Sequence, residues 1–502
     1  MIRIILFATF ALSLSYSHAQ TAKKQLTEQD KAAIKKELLD NNASLFMLSL
    51  TLNTEDLRPL SSVKSEKEST PEEIQSLKNK LNGSHDDYET YNKLGQIYKR
   101  LNQKKEAYGC FEKAFEALAK RMNESPNDNL YKSFAEILVN AENYKSAIAY
   151  YEKALEVNSN DTTSYVLLPF CHLYMGNLEM ARTTSKNALD KYPENISTHI
   201  AYFTSMMYTT YFSEEMRSDT LSGYTNKKIE DIIDLSFLKA TVEKHPDRFD
   251  MNLMYQLGRQ VGILLKLYKT YSKKTYRFTL SSYDLEEMKK MEKFYSSALK
   301  NKKIAKDHNY ILNKALGILY VMMNKPKEGI PYLQISIKLK GPEFSNFNSN
   351  AGESYDGLIT AYMLSKDTLS AIKAAEAKIT LKPEVYPYLK NYISLSNFYL
   401  LNKNYTKART TIMEAFKLND QDYDAWMALA LVDVYEENLK SAEENAMKIY
   451  EMDNSRPDSF LLLGVIYLLK NDFNSAYHCL KRVQEIDPKS EMANKMLSEY
   501  FQ

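Results

Sequence analysis

Aromatic, aliphatic and small residues recur along this chain at fixed intervals between polar stretches. Tyr91, Leu94, Gly95 and Tyr98 follow one another at helical spacing, and after a polar break Ala107, Phe111 and Ala114 do the same. The set returns near the C-terminus as Tyr392-Leu395-Ala408-Ala415, Trp426-Leu429-Ala442 and Phe460-Leu463-Gly464-Tyr467-Ala476-Pro488, with Tyr392, Trp426 and Phe460 each 34 residues from the next. Two helices that cross closely need a small residue at the contact, as Gly464 and Ala476 provide. They also need bulky ones beside it, such as Leu463, Tyr467 and Leu480. Each period therefore predicts a helical hairpin. One hairpin cannot bury its own apolar face, so stability has to come from stacking neighbours.

Period and residue types together resemble the tetratricopeptide repeat family over about residues 88 to 488. Further marks of it are Tyr131-Phe134-Ala135-Ala147-Tyr151-Ala154, Tyr165-Leu168-Ala181-Ala188-Pro193, Leu316-Gly317-Tyr320-Gly329 and Tyr355-Tyr362-Ala371-Pro383. Two second helices, around Ile233-Phe237-Ala240-Pro246 and Met291-Tyr295-Ala298, arrive roughly twenty residues late, which predicts insertions near 209–228 and 267–284. The resemblance implies an all-α, right-handed superhelical solenoid of about nine or ten helix-turn-helix repeats. Pro169 falls inside a first helix and predicts a local kink. With 13 Gly and 13 Pro in 502 residues and few alternating β-branched runs, nothing argues for sheet, while 38 Tyr and 20 Phe supply wedges for repeat interfaces.

The ends differ from the array. Arg3, the apolar run Ile4 to Leu14 and Ser17-His18-Ala19 read as a signal peptide over 1–19, cleaved before Gln20, so export to a periplasmic or extracellular space is expected. No Cys follows the cleavage site, and no later stretch is long and apolar enough to span a bilayer. Residues 20–87 form a helical lead-in and linker. Thr27 and Asp30 resemble a capping box at the head of a helix to about Leu50, expected to dock on the first repeat. Thr70-Pro71 marks the start of another helix. Asn494, Leu497 and Phe501 make 489–502 a C-terminal capping helix.

With 66 basic and 64 acidic residues there is no global field to favour nucleic acid. Cys110, Cys171 and Cys479 form no metal-ligand pair and read as buried thiols, and Cys171-His172 and His478-Cys479 cannot chelate as helix neighbours. No catalytic motif, metal site or cofactor motif is found, so the chain is expected not to be an enzyme.

In the family that this chain resembles, certain first-helix positions line a concave groove. Here they are polar early in the array (Asn92, Gln96, Lys132, Glu136) and apolar at its end, as Met427, Leu431, Val434, Leu461, Val465 and Leu468, a candidate groove for a protein or peptide partner. The family's carboxylate clamp for chaperone tails is not reproduced: Glu136 follows Lys132 and Ile318 follows Lys314 where Asn is needed. A second candidate is the basic-aromatic strip of the later insertion, Lys269, Lys273, Lys274 and Arg277, suited to an anionic ligand. The leading expectation is an exported scaffold or adaptor in a cell-envelope or secretion assembly. The alternative is an extracytoplasmic glycan-binding protein of a nutrient-uptake system.

Overall fold

The computed structural model describes residues 25–49, 71–81, 87–100, 103–124, 128–211, 234–272, 277–278, 280–339, 349–380 and 389–501. Two helices precede the array, α1 (Glu28–Ser49) and α2 (Pro71–Leu81). Ten pairs follow among the described residues: α3 (Tyr88–Arg100) with α4 (Lys104–Glu124), α5 (Asp128–Asn140) with α6 (Tyr144–Val157), α7 (Thr162–Tyr174) with α8 (Leu178–Lys191), and α9 (Ile196–Tyr211) with α10 (Ser236–Lys244). In the fifth pair, α11 (Phe249–Thr270) and α12 (Ser282–Lys300) are separated by a two-stranded ladder, β1 (Tyr271–Ser272) and β2 (Arg277–Phe278). The rest are α13 (Lys302–Met322) with α14 (Pro326–Leu339), α15 (Ser349–Leu364) with α16 (Thr368–Ile379), α17 (Leu389–Leu401) with α18 (Tyr405–Phe416), α19 (Tyr423–Tyr435) with α20 (Leu439–Met452), and α21 (Pro457–Leu469) with α22 (Phe473–Ile486). Helix α23 (Glu491–Tyr500) follows and packs against α22. The earlier insertion, 209–228, lies outside the described residues beyond Tyr211.

The turn inside a pair is built the same way again and again. One residue takes a left-handed backbone (Glu142, Gly176, Asn324, Lys366, Lys403, Glu437, Asn471), which stops the first helix. In most of these turns the next residue is Asn or Asp, whose side chain caps the second helix. Asn143, Asp367, Asn404 and Asp472 accept from the backbone N–H three residues on at 3.0–3.2 Å. Only one of the seven left-handed positions is glycine, so the surrounding packing, rather than residue choice, holds the turn. Helix α7 runs on through Pro169, leaving the carbonyl of Tyr165 without its usual partner.

Within a pair the helices meet at small residues, the crossing that the sequence pattern predicts. A Cβ on Gly317 of α13 would stand 2.6 Å from Cγ of Leu333 and 3.1 Å from its backbone nitrogen, so α14 lies against bare backbone. Cys171 and Cys479 are buried as expected, and burial pushes both thiols up to about 12. Cys110 is half-buried.

Gly317→Ala is expected to destabilise the chain by roughly 1–3 kcal/mol in urea denaturation, because overpacking outweighs alanine's better helix propensity. Two buried histidines predict a pH dependence. Neither ring nitrogen of His172 has a hydrogen-bond partner, His199 Nε2 lies 2.7 Å from the carbonyl oxygen of Pro193, and burial lowers both pKa values. The unfolded chain takes up these protons more readily, so stability is complete above the unfolded pKa of about 6.5 and falls as the pH drops below it. Melting temperature should decline as the pH falls below about 6.5, and His172→Phe should flatten the decline.

Candidate partner-binding groove

The sequence pattern places the groove on the first helices of the last pairs, α19 and α21. Both are apolar around most of their circumference: Ala428 to Val434 and Ser459 to Leu469 are buried without interruption. Of the expected groove residues, Leu431, Val434, Leu461, Val465 and Leu468 are buried and Met427 is half-buried. These positions are therefore covered, and the chain's own N-terminal helix lies against this part of the array. Helix α1 packs against α17 and α21, and Leu26, Ile34 and Leu38 join the buried cluster that contains the groove residues. The expectation that α1 caps the first repeat is wrong. That place belongs to α2, whose Leu81 shares a cluster with Leu94 and Tyr98 of α3. The physical reason is supply and demand: α2 already covers the first pair, whereas the last pairs carry the larger apolar face.

Helix α1 is oriented by polar contacts at its entry and along its rim. Thr27 and Asp30 form the expected reciprocal cap, with Thr27 N–H donating to Asp30 Oδ2 at 3.0 Å and Asp30 N–H to Thr27 Oγ1 at 3.1 Å. Just before it, the Leu26 N–H donates to Asn471 Oδ1 at 3.0 Å. The Tyr435 hydroxyl donates to the Lys35 carbonyl, and Lys35 Nζ meets Glu437 at 2.8 Å. On another side Lys495 Nζ meets Glu37 at 2.7 Å. Glu437 and Asn471 are the left-handed turn residues of successive pairs, so α1 bridges two equivalent points of the repeat. The hydrogen bond from Lys35, with its charge in addition, holds the Glu437 carboxyl below its ordinary range, and the hydrogen bond to Glu37 raises the Lys495 ammonium.

Beneath the groove, neighbouring pairs are joined by a recurring polar latch. A tyrosine late in the first helix donates to a glutamate on the preceding second helix: Tyr320 to Glu292 at 2.8 Å, Tyr399 to Glu376, and Tyr467 to Glu443 at 3.1 Å. Burial pushes the Tyr467 hydroxyl pKa up, with Glu443 adding to it. In the ninth pair the polarity is reversed. The equivalent position is Asp433, fully buried, which meets Arg409 at 2.6 Å and also accepts from Ser441 at 2.9 Å and Asn445 at 2.6 Å. Arg409 binds Glu436 as well, just as Glu443 binds Lys470 one pair later with the charges exchanged.

The basic strip is not brought together by any described contact. Lys269 lies in the last turn of α11 and Arg277 in β2, while Lys273 and Lys274 lie outside the described residues. What the structure shows there is anchorage. Lys266 and Asp284 pair at 2.9 Å, both almost fully buried, at the base of the insertion, and Asn324 brackets Phe278 by accepting from its N–H at 3.0 Å and donating to its carbonyl at 2.9 Å. Trp426 is no open stacking platform either: Phe416 lies 4.6 Å away, Lys448 Nζ sits 4.0 Å over the ring, and Nε1 donates to the Asp420 carbonyl. Among the early polar positions, Asn140 donates to Asn92 at 2.9 Å, and burial pushes the Glu136 carboxyl up. Among the described residues no group of three or more His, Cys, Asp or Glu could hold a metal ion, and no helix is long and apolar enough to cross a membrane.

Two family models match parts of the chain: soluble NSF attachment protein over residues 70–208, and tetratricopeptide repeat over 457–490, which is the pair α21 and α22. No curated protein matches. Among solved structures, YrrB, described as a TPR protein with an unusual peptide-binding site, is 18% identical and covers 41% of this chain and 97% of its own, with a TM-score of 0.30. MamA 41-end from Desulfovibrio magneticus RS-1 is 18% identical over 36% of this chain and 97% of its own, with a TM-score of 0.30. The human IFIT1 dimer with m7Gppp-AAAA is 16% identical over 83% of this chain and 95% of its own, with a TM-score of 0.38.

Removing the buried acceptor Asp433 strands Ser441 and Asn445 and leaves Arg409 only Glu436. Asp433→Ala is expected to cost about 2–3 kcal/mol, since hydrogen bonds to charged groups are each worth about 1.5–3. Chemical denaturation would measure it, and a loss below about 0.5 kcal/mol would show that the latch is not needed.

Proposed function

We propose that this chain, a tetratricopeptide-repeat solenoid, is an exported, non-enzymatic scaffold or adaptor that holds a protein or peptide partner in the concave groove of its last repeats, within a cell-envelope or secretion assembly. One observation supports the reading: a helix lies against this part of the array in the manner of helix-in-groove recognition, with the aliphatic anchors Ile34 and Leu38 buried and ion pairs at the rim. Met427, Leu431, Val434, Leu461, Val465 and Leu468 are the partner-binding residues on this reading.

The buried ionisable groups favour a scaffold over an enzyme, because they are engaged in structure: Lys266 with Asp284, Arg409 with Asp433, Lys378 with Asp356 at 2.6 Å. The engagement of the half-buried Trp426 ring by Phe416 and Lys448 favours a protein partner over a glycan. Export is supported by the sequence alone, through Arg3, the run from Ile4 to Leu14 and Ser17-His18-Ala19.

The test has two readouts. Mass spectrometry of the chain recovered from its native host should find an N-terminus at Gln20 in the exported fraction, and an intact Met1 end retained in the cytosol would remove export from the proposal. Affinity capture from solubilised envelope extract, with Met427→Glu alongside, should yield a partner that the variant loses while its melting temperature stays within about 2 °C of the parent. A partner that the variant retains would rule out this groove.

A further inference from the structure

We infer that α1 is a displaceable occupant of the partner groove: the chain is self-closed, and the partner it admits is an amphipathic helix that reproduces the face of residues 26–38. This rests on the adaptor reading above and adds to it the chemistry of the partner and the state of the free chain.

The contacts of α1 are of two kinds, and both suit reversible docking. Over Gln25 to Leu38, the stretch whose side chains are described, the buried anchors are spaced apart, at Leu26, Ile34 and Leu38, against eleven consecutive buried residues on α21. Segments with few buried apolar contacts open at lower free energy than the core around them. The other contacts are polar: two part-buried hydrogen bonds, from the Leu26 N–H to Asn471 and from the Tyr435 hydroxyl to the Lys35 carbonyl, and two ion pairs at the rim, Lys35 to Glu437, whose side chain is 75% exposed, and Lys495, 50% exposed, to Glu37. Water can replace such pairs with little loss. The surface beneath is different. Val465 and Leu468 have no use in water, so whatever leaves the groove has to be replaced by another apolar face.

The occupant also specifies its competitor. It needs an aliphatic residue just ahead of the helix, as Leu26 is, and two more four apart on one helical face, as Ile34 and Leu38 are. It needs a cation beside the middle anchor to meet Glu437 and an acid two positions later to meet Lys495, as Lys35 and Glu37 do. An amide N–H ahead of the first turn then completes the contact with Asn471.

Two measurements on the full mature chain test this. Native-state hydrogen exchange should show the amides of 31–38 opening locally, about tenfold or more faster than those of α21. A labelled synthetic peptide of residues 25–49 should bind the parent chain at least about tenfold more weakly than the Ile34→Asp, Leu38→Asp chain, because the closed state withholds the groove for all but a small fraction of the time. Lys35→Glu should strengthen peptide binding, and adding Glu437→Lys should reverse that gain by restoring the internal pair.

Exchange of α1 only together with α21, or equal peptide binding by parent and variant, would overturn the inference and make α1 a permanent cap. Should the double variant fail to fold, exchange in the parent chain and the milder charge swaps still decide. A variant that binds peptide but captures no envelope protein sinks the adaptor reading and leaves displacement standing. A parent chain that captures its partner while α1 stays protected keeps the adaptor and overturns displacement.

Discussion

An apolar helix has to be covered on every side, and α21 imposes that requirement on the C-terminal half of the molecule. Its partner α22 covers one side and α20 of the preceding pair another, and the N-terminal helix α1, which does not belong to the repeat, lies against a third. Each fully buried aliphatic side chain stabilises by roughly 1.5–3 kcal/mol, so an open groove lined by Leu461, Val465 and Leu468 would forfeit more than any set of rim ion pairs could return. That imbalance brings a helix from the other end of the chain to this place. It also sets the groove's chemistry, because only another apolar face satisfies it.

The turns inside the pairs supply the second half of the design. A left-handed residue at a fixed place in many of the repeats projects a side chain from the rim, and at four of the described places it reaches a segment outside its own pair: Glu142 holds Lys99, Asn324 holds Phe278, Glu437 holds Lys35 and Asn471 holds Leu26. The same backbone conformation that ends one helix thus creates a row of docking points, and the residue type at each point decides whether it takes an amide or an ammonium. Because the left-handed conformation is set by packing, these positions are free to carry polar side chains where glycine would be easier on the backbone.

Much of this was legible in the sequence, and the rest was not for identifiable reasons. The 34-residue period and the small residues at helix crossings are local signals, and they are found where the pattern puts them. The apolar character of the groove positions was legible too, since Leu431 and Val465 occupy places defined by the repeat, and both are buried. What covers them was not. Three aliphatic residues on one helical face fit any apolar surface, and Leu26 carries no mark that singles out Asn471, 445 residues away, over the adjacent repeat. The ladder at Tyr271 and Phe278 is two residues long, too short for any periodicity to reveal, and is held by an asparagine in the following repeat. The reversed latch at Asp433 could have been seen by aligning the repeats, because Asp433 stands in line with Tyr399 and Tyr467, and Arg409 stands 34 residues before Glu443.

That reversal bears on why the pairs stack in one order. Arg409 meets two acids, Asp433 and Glu436, while Glu443 meets a hydroxyl and an ammonium, Tyr467 and Lys470. Setting α21 against α18 in place of α19 would put Lys470 beside Arg409, a like-charge contact at a half-buried interface, and apolar packing alone would not forbid it. Charge therefore contributes order here rather than strength. The same logic holds in the groove, where the aliphatic anchors would accept a helix in either direction. Entered in reverse, α1 would carry Glu37 toward Glu437 and Lys35 toward Lys495. Rim pairs worth little as attractions thereby become effective as exclusions, and the groove acquires a direction as well as an affinity.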